Sequence, residues 1–462
     1  MEQKDSERLV EALAREQEEK LEGKALSTGD KFIYGLGNLP AALSIALVDT
    51  WIIYFYSPPE SKDIYLSVGV AGVLNFLRYV CNAIGDPIVG FLSDRTKSGL
   101  GRRMPFILFG APFLALFLVL VWFPPTQEPS WTNIIVLGIY LTGFGFLYPV
   151  VVNPYMSLLP EITPYLKERI QVSALMAYGE VLGRVIAQVI TGFAVSFFLA
   201  HKFNLIKINW DGYKIMGIIS ALILIAIYLV MVFKVKETPH SEKKEIPFGM
   251  IEAVVEVFKN SSFLPYIAII AVFILSSNML IIITPFFGKV VMGVNEEVSG
   301  LLLGVILIVA GLFFPLTAWL GGRLGKKRTF TIAMLWFGLV IPLFPIVKLV
   351  PGINPKIFGF VLYFIVAPPV SAVLVLQRPL ISDVIDFDEK LTGYRRESMY
   401  MGAEGLITKL AWGISFLVAP ALMQVLGNSK DHPWGILLNG PLAGLFMFLA
   451  TFYFWRKYPF KR

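Results

Sequence analysis

Long apolar stretches recur twelve times along this 462-residue chain, at about 33–56, 64–92, 104–124, 131–158, 170–199, 212–234, 264–292, 298–321, 328–350, 356–380, 397–426 and 435–455. A hydrocarbon layer about 30 Å thick takes about 20 residues of helix to cross. Each stretch is long enough and therefore predicts a membrane span. Composition points the same way. Only 16% of the residues are charged and 56% are hydrophobic, whereas soluble domains carry about a quarter charged residues. That excludes a large soluble enzyme, and equally a disordered or fibrous chain. The single cysteine, Cys81, excludes a disulfide framework and a multi-thiolate metal site. His201, His240 and His432 lie far apart in polar loops, which leaves no basis for a histidine metal cluster or histidine-centred catalysis.

The net charge of +7 invites a nucleic-acid reading, but its distribution gives another. The N-terminal tail, the even-numbered loops and the C-terminal tail carry 28 Lys and Arg, against 7 in the odd-numbered loops. By the positive-inside rule both termini are then cytoplasmic, and no nucleic-acid partner is expected. Residues 1–31 hold nine acidic and six basic side chains, with Leu9, Val10 and Leu13 as a thin apolar stripe. A secretory signal would be basic and then apolar, so this segment reads as a solvated cytoplasmic tail.

The polar stretch 235–262 divides the spans six and six. The turn after span 2 contains Asp94, Arg95, Thr96, Gly101, Arg102 and Arg103, and the turn after span 8 contains Gly322, Arg323, Gly325, Lys326, Lys327 and Arg328. Small residues and basic clusters thus recur at the same point of each half, the trace of an internal duplication. The expected fold is an all-α membrane protein with twelve transmembrane helices. A tail (1–31) leads into one six-helix bundle (32–234), a linker (235–262), a second bundle (263–456) and a short tail (457–462). This is the architecture of the major facilitator fold.

Ionisable groups inside a bilayer are costly and normally face a bundle interior or wet cavity. Seven lie deep in the spans: Asp49, Arg78, Asp86, Glu180, Arg184, Glu404 and Lys409. At about 100° per residue, Asn75, Arg78, Asn82 and Asp86 form one face of span 2, where neighbours four apart can touch. Ser173, Glu180, Arg184, Gln188 and Thr191 form one face of span 5, with Glu180 and Arg184 spaced to pair. Glu404, Thr408, Trp412 and Ser415 share a face of span 11, while Lys409 points about 140° away from Glu404. Tyr34, Asn38 and Asp49 lie on one side of span 1. Asp49 and Arg78 read equally well as contacts to loops or lipid headgroups.

Together these motifs carry a resemblance. Gly85-Asp86-Pro87-Ile88-Val89-Gly90, Asp94-Arg95-Thr96 and Gly101-Arg102-Arg103-Met104-Pro105 are followed by Asn153-Pro154-Tyr155, Leu159-Pro160-Glu161-Ile162-Thr163 and Glu168-Arg169. Further on come Ser382 to Glu389, with Asp386, then Thr392-Gly393-Tyr394-Arg395-Arg396-Glu397, and Lys409. The set resembles the glycoside–pentoside–hexuronide:cation symporter family, which includes melibiose permease. The resemblance implies a cation-coupled symporter of a small solute, with Asp94, Arg95, Gly101, Arg102, Arg103, Glu161, Arg169, Asp386, Arg395 and Arg396 as gate elements. The paired acidic cation ligands of that family fall on Asn82 and Asp86. Its melibiose-type Lys-Asp pair on the first span falls on Ala41-Ala42, its acidic sugar ligand on Val152, and its span-5 arginine on Met176 or Ala177.

A sodium site wants several oxygen ligands, usually with a carboxylate, and Asp86 with Asn82 is a poorer cage than two carboxylates. One protonatable aspartate suffices for proton coupling, so the coupling ion is expected to be H+ rather than Na+, with no other cofactor. A sugar site wants hydrogen-bonding side chains around an aromatic platform. Asn38, Asn153, Tyr178, Glu180, Arg184, Glu404, Lys409 and Trp412 are the candidates to supply it. The expected solute is a sugar or glycoside, carried by a monomer in the plasma or bacterial inner membrane. A lysophospholipid or other amphiphile transporter, or a non-transporting sensor, are the alternatives. No nucleophile–base pair or metal-ligand spacing appears inside the spans, so no enzyme is expected.

Overall fold

The computed structural model describes residues 26–61, 64–163, 165–200, 203–205, 208–235, 257–393 and 396–460. Most of the predicted N-terminal tail, residues 236–256 of the predicted linker, and Arg395 lie outside the described residues.

Helical segments stand at each of the twelve predicted stretches. Ten are long and apolar enough to cross a bilayer alone. An eleventh is made by Glu296–Leu312 and Phe314–Leu324, bent by 46° at Phe313. Met104–Leu120, at 17 residues, is shorter than the rest. Each helical segment takes the number of the predicted stretch it fills, span 1 to span 12 in chain order. In one departure from the all-helical expectation, Phe203–Leu205 (β1) pairs antiparallel with Ile208–Trp210 (β2) between spans 5 and 6.

The caps and breaks follow local chemistry. Ser67 caps Val68–Arg95 by accepting from the Val70 amide, and Asp211 caps Gly212–Lys234 through Lys214. Proline removes an amide and opens the helical ladder, and it recurs inside these helices at Pro87, Pro149, Pro154, Pro368, Pro369 and Pro420. Span 5 passes through a π-turn at Ile186–Ile190, and span 7 ends in another at Phe287–Met292. Such turns swing the following residues round the helix axis.

Spans 1 to 6 pack mainly with one another, as do spans 7 to 12. Between the two groups, span 2 lies along span 11, and span 5 along span 8. Bonds across this seam run from Asp86–Lys409 towards the end away from the basic turns: Tyr54 to Glu296 (2.6 Å), the Glu297 amide to Ser196 (3.1 Å), and the Gly69 amide to Gln424 (3.2 Å). The Glu60–Lys430 ion pair (2.8 Å) lies at the extreme of that end. Towards the basic turns, spans 4 and 10 hardly meet. The molecule is closed at one end and cleft at the other.

Candidate functional site

Asp86 sits beside a built-in weakness, because Pro87 follows it and has no amide to donate to the preceding turn. Its Oδ1 accepts from Asn153 Nδ2 of span 4 at 2.9 Å, and its Oδ2 accepts from Lys409 Nζ of span 11. One carboxylate thus ties its own half of the chain to the other. The side chains of Asp86 and Lys409 are 31% and 26% exposed, so the pair can be reached from the cleft. Asn82, one turn earlier, is buried, and its Oδ1 has no hydrogen-bond partner among the described residues.

Arg78 does not continue this stripe towards Asn82. Its Nη2 pairs with Asp49 Oδ1 of span 1, and Tyr79 Oη donates to Asp49 Oδ2 at 2.8 Å. Both charged residues are buried. The guanidinium also lies 4.4 Å from the Tyr79 ring centre and 5.7 Å from that of Phe416 on span 11. The reading of Asp49 and Arg78 as loop or headgroup contacts is therefore corrected. Two charges in low dielectric persist when each is the other's counter-ion and further donors complete the shell, and here they are on neighbouring helices.

On span 11, Glu404, Thr408 and Trp412 line a cavity of about 500 Å³ together with Gln377, Arg378 and Met401. Glu404 is buried, and its Oε1 accepts from Tyr266 Oη and Gln377 Nε2, both at 2.6 Å. Arg378 stands 3.8 Å from its other oxygen with 70% of its side chain exposed. Trp412 stacks on Tyr79 across the seam, ring centres 6.2 Å apart. Tyr266 reaches Glu404 across 138 positions of sequence, and no local spacing signals such a contact. Gln377 and Arg378 were missed because they fall at the polar edge of an apolar stretch, although a charged residue in a span's last turn was the available signal.

Glu180 and Arg184 form the pair their spacing allows, at 3.0 Å, and both stay partly exposed. Tyr178, two residues from Glu180, falls on the opposite face of the helix and is 70% exposed. Asn38 is buried and donates to the Met176 carbonyl at 3.1 Å, pinning span 1 to span 5. The structure thus joins Asn153, Asp86 and Lys409, groups Glu404 with Trp412, and leaves Asn38 and Tyr178 apart from both sets.

Several of the residues expected to act as gate elements are linked at the basic end. Glu161 holds Arg102 and, at 2.9 Å, Arg103, whose Nη2 is 3.4 Å from Asp94. Gly101 turns the chain with φ of +101°, a conformation that favours glycine. Arg95 lies over the Phe91 ring. Arg169 donates to the carbonyls of Thr163 (2.9 Å) and Pro160 (3.2 Å), tying spans 4 and 5. In the other half Arg396 grips buried Asp388 with two bonds of 2.9 and 2.8 Å, and Lys326 pairs with Asp383. Asp386 is exposed on the same helix.

The family described as MFS/sugar transport protein matches residues 33–433 of this chain. The chain belongs to that family. The transporter is 25% identical over 423 residues to the isoprimeverose transporter of Lactiplantibacillus pentosus, covering 87% of this chain and 81% of that one. It is 24% identical over 441 residues to the sodium-dependent lysophosphatidylcholine symporter 1 of Xenopus tropicalis, covering 87% and 80%. Among solved structures, a bacterial homolog of the human lysosomal transporter Spinster, inward-facing and occupied, superposes with a TM-score of 0.66 at 14% identity over 92% of this chain and 94% of that one. The fold is that of the major facilitator transporters, and the protein is a multi-pass integral membrane transporter rather than an enzyme.

Proposed function

We propose that the transporter is a cation-coupled symporter of a small polar solute, most simply a sugar or glycoside, working by alternating access across twelve spans in two six-helix bundles. The observation that carries this reading is the carboxylate of Asp86, bonded to Asn153 on one side and to Lys409 of the opposite half on the other. With both termini cytoplasmic, the cleft opens to the cytoplasm and the bonds from Tyr54–Glu296 to Glu60–Lys430 close the outer face. A proton taken up by Asp86 removes the charge that holds Lys409. The ammonium is then free to turn into the cleft, where Glu404, Gln377, Arg378 and Trp412 surround the space for a solute. That linkage ties ion binding to movement of the halves, the requirement for symport. The chain acts as a monomer in a plasma or bacterial inner membrane, with no cofactor besides its coupling ion.

The test is uptake into proteoliposomes under an imposed proton or sodium gradient, for wild type and Asp86→Asn. Proton-driven accumulation in wild type and its loss in the variant is the expected result. Equal gradient-driven uptake by both would sink the role given to Asp86, and accumulation driven by sodium alone would replace the ion. A second reading has a specific footing: relatives matched over equal shares of this chain are named for a sugar and for a lysophospholipid. Thermal stabilisation by lysophospholipid, with none by sugars or uronates, would select the amphiphile.

A further inference from the structure

Away from the cleft, the bend in span 8 opens a shallow groove of about 100 Å³ on the outer surface of the second half, between spans 8, 9 and 10. Its walls are Leu316 and Leu320 on Phe314–Leu324, Ile332 and Trp336 on Lys326–Val340, and Pro368 and Pro369 on Pro355–Thr392. Pro369 donates no hydrogen bond to the Ile365 carbonyl, and the Trp336 indole supplies one at 3.0 Å. That bond fixes the indole as a wall. Ile332, Leu316 and Trp336 remain 54%, 45% and 42% exposed, so the groove faces the acyl phase of the bilayer.

The groove has a charged mouth. Arg323 continues the Leu316–Leu320 stripe by three residues, and Arg328 precedes Ile332 by four, so both prolong the lining faces. The two flank the turn at Gly325, whose φ of +89° favours glycine. Neighbouring lysines are engaged elsewhere, Lys326 with Asp383 and Lys327 with the Tyr458 carbonyl. Arg323 lies 5.2 Å from the Trp319 ring centre, and both arginines are exposed. Inside the groove, Thr329 is 5% exposed and its hydroxyl has no hydrogen-bond partner among the described residues.

We propose that this is a binding site for an anionic phospholipid, with the phosphate held between Arg323 and Arg328 and one acyl chain lying in the groove. The charge complementarity selects the headgroup, and the apolar walls select a chain that reaches inward from it. A lipid seated there braces the 46° bend, since Phe313 at the break is part of the same lining. This site is separate from the cleft and does not depend on which solute is carried.

The experiment titrates the delipidated full-length transporter with dioleoyl phosphatidylglycerol or dioleoyl phosphatidylcholine and counts bound lipid by native mass spectrometry. Each arginine at a lipid surface attracts the anion about fivefold, so wild type should prefer phosphatidylglycerol by about twenty-five-fold. Arg323→Gln/Arg328→Gln should bring it to the phosphatidylcholine level, and each single variant should lie midway. Ala333 also lines the groove, and Ala333→Trp, which fills it, should weaken both lipids. Equal binding of the two lipids by wild type, or unchanged phosphatidylglycerol binding in the double variant, overturns the headgroup site. Unchanged binding in Ala333→Trp overturns the groove. The substituted arginines are exposed, and melting in phosphatidylcholine nanodiscs verifies that each variant is folded.

Discussion

The Lys409 ammonium on span 11 is bonded to the Asp86 carboxylate on span 2, 323 residues away in the chain, and the two are the innermost charged pair across the seam between the halves. Both sit where the closed part of the seam gives way to the cleft. Removing one member leaves the other as an uncompensated charge, while removing both leaves none.

Lys409→Met alone should therefore cost more than Asp86→Asn/Lys409→Met. The single variant should lose both thermal stability and transport. The double variant should regain stability but not ion coupling. Melting temperature and gradient-driven uptake, measured together, separate these outcomes. A double variant no more stable than Lys409→Met would show that the pair does not act as a unit.

Asp49 and Arg78 should behave as a structural pair. Breaking a buried ion pair from one side costs ~3–5 kcal/mol, so Asp49→Asn and Arg78→Gln should each markedly lower the melting temperature. Asp49→Leu/Arg78→Met, which replaces both charges with apolar groups of similar size, should recover most of the loss. Equal destabilisation by the single and double variants would contradict this.

The closed end depends on a close crossing of spans 5 and 8. A Cβ placed on Gly192 would lie 2.6 Å from the Glu296 carbonyl, and backbone cannot yield there as a flexible side chain would. Gly192→Val should force the two spans apart and shift the population towards the state open at the opposite end. Alkylation of a cysteine introduced at Ser196, compared with and without Gly192→Val, reads that shift. An unchanged rate would remove the crossing from the closing machinery.

Glu60 joins the two halves through loops outside the spans, with a φ of +62° that few residues other than glycine adopt. Its carboxylate accepts from the Lys430 ammonium and, at 2.9 Å, from the Lys430 amide. The hydrogen bonds and charge of Lys430 hold its pKa below the ordinary 4.5. A depressed carboxylate pKa stabilises the paired state above the ordinary value, and that stabilisation is lost as pH falls through the lowered one. The closed end should hold at pH 6 and loosen below about 4.5. Energy transfer between labels on the two loops should show this in wild type, and Glu60→Gln should lack the pH step.

Part of this site was legible in the sequence. Glu180 and Arg184 are four apart on one helix, and they pair. Glu404, Thr408 and Trp412 share a face by spacing, and they line one cavity. Arg78 was misread, because spacing pointed it along its own helix whereas its partner Asp49 stands on span 1. Tyr178 was grouped with Glu180 by residue type, although the helix turns the two to opposite sides. The gate in the second half was read through Asp386, while the bidentate contact of Arg396 is with Asp388, two residues on and on the inward face.

The sequence by itself determined where the helices lie and which family they build. In a bilayer a helix satisfies nearly all its backbone polar groups within its own segment, so apolar length and turn residues suffice. Only the tertiary structure decided which charges meet and which end is shut. Those depend on the register and crossing of helices far apart in the chain, and helical periodicity describes each helix about its own axis alone.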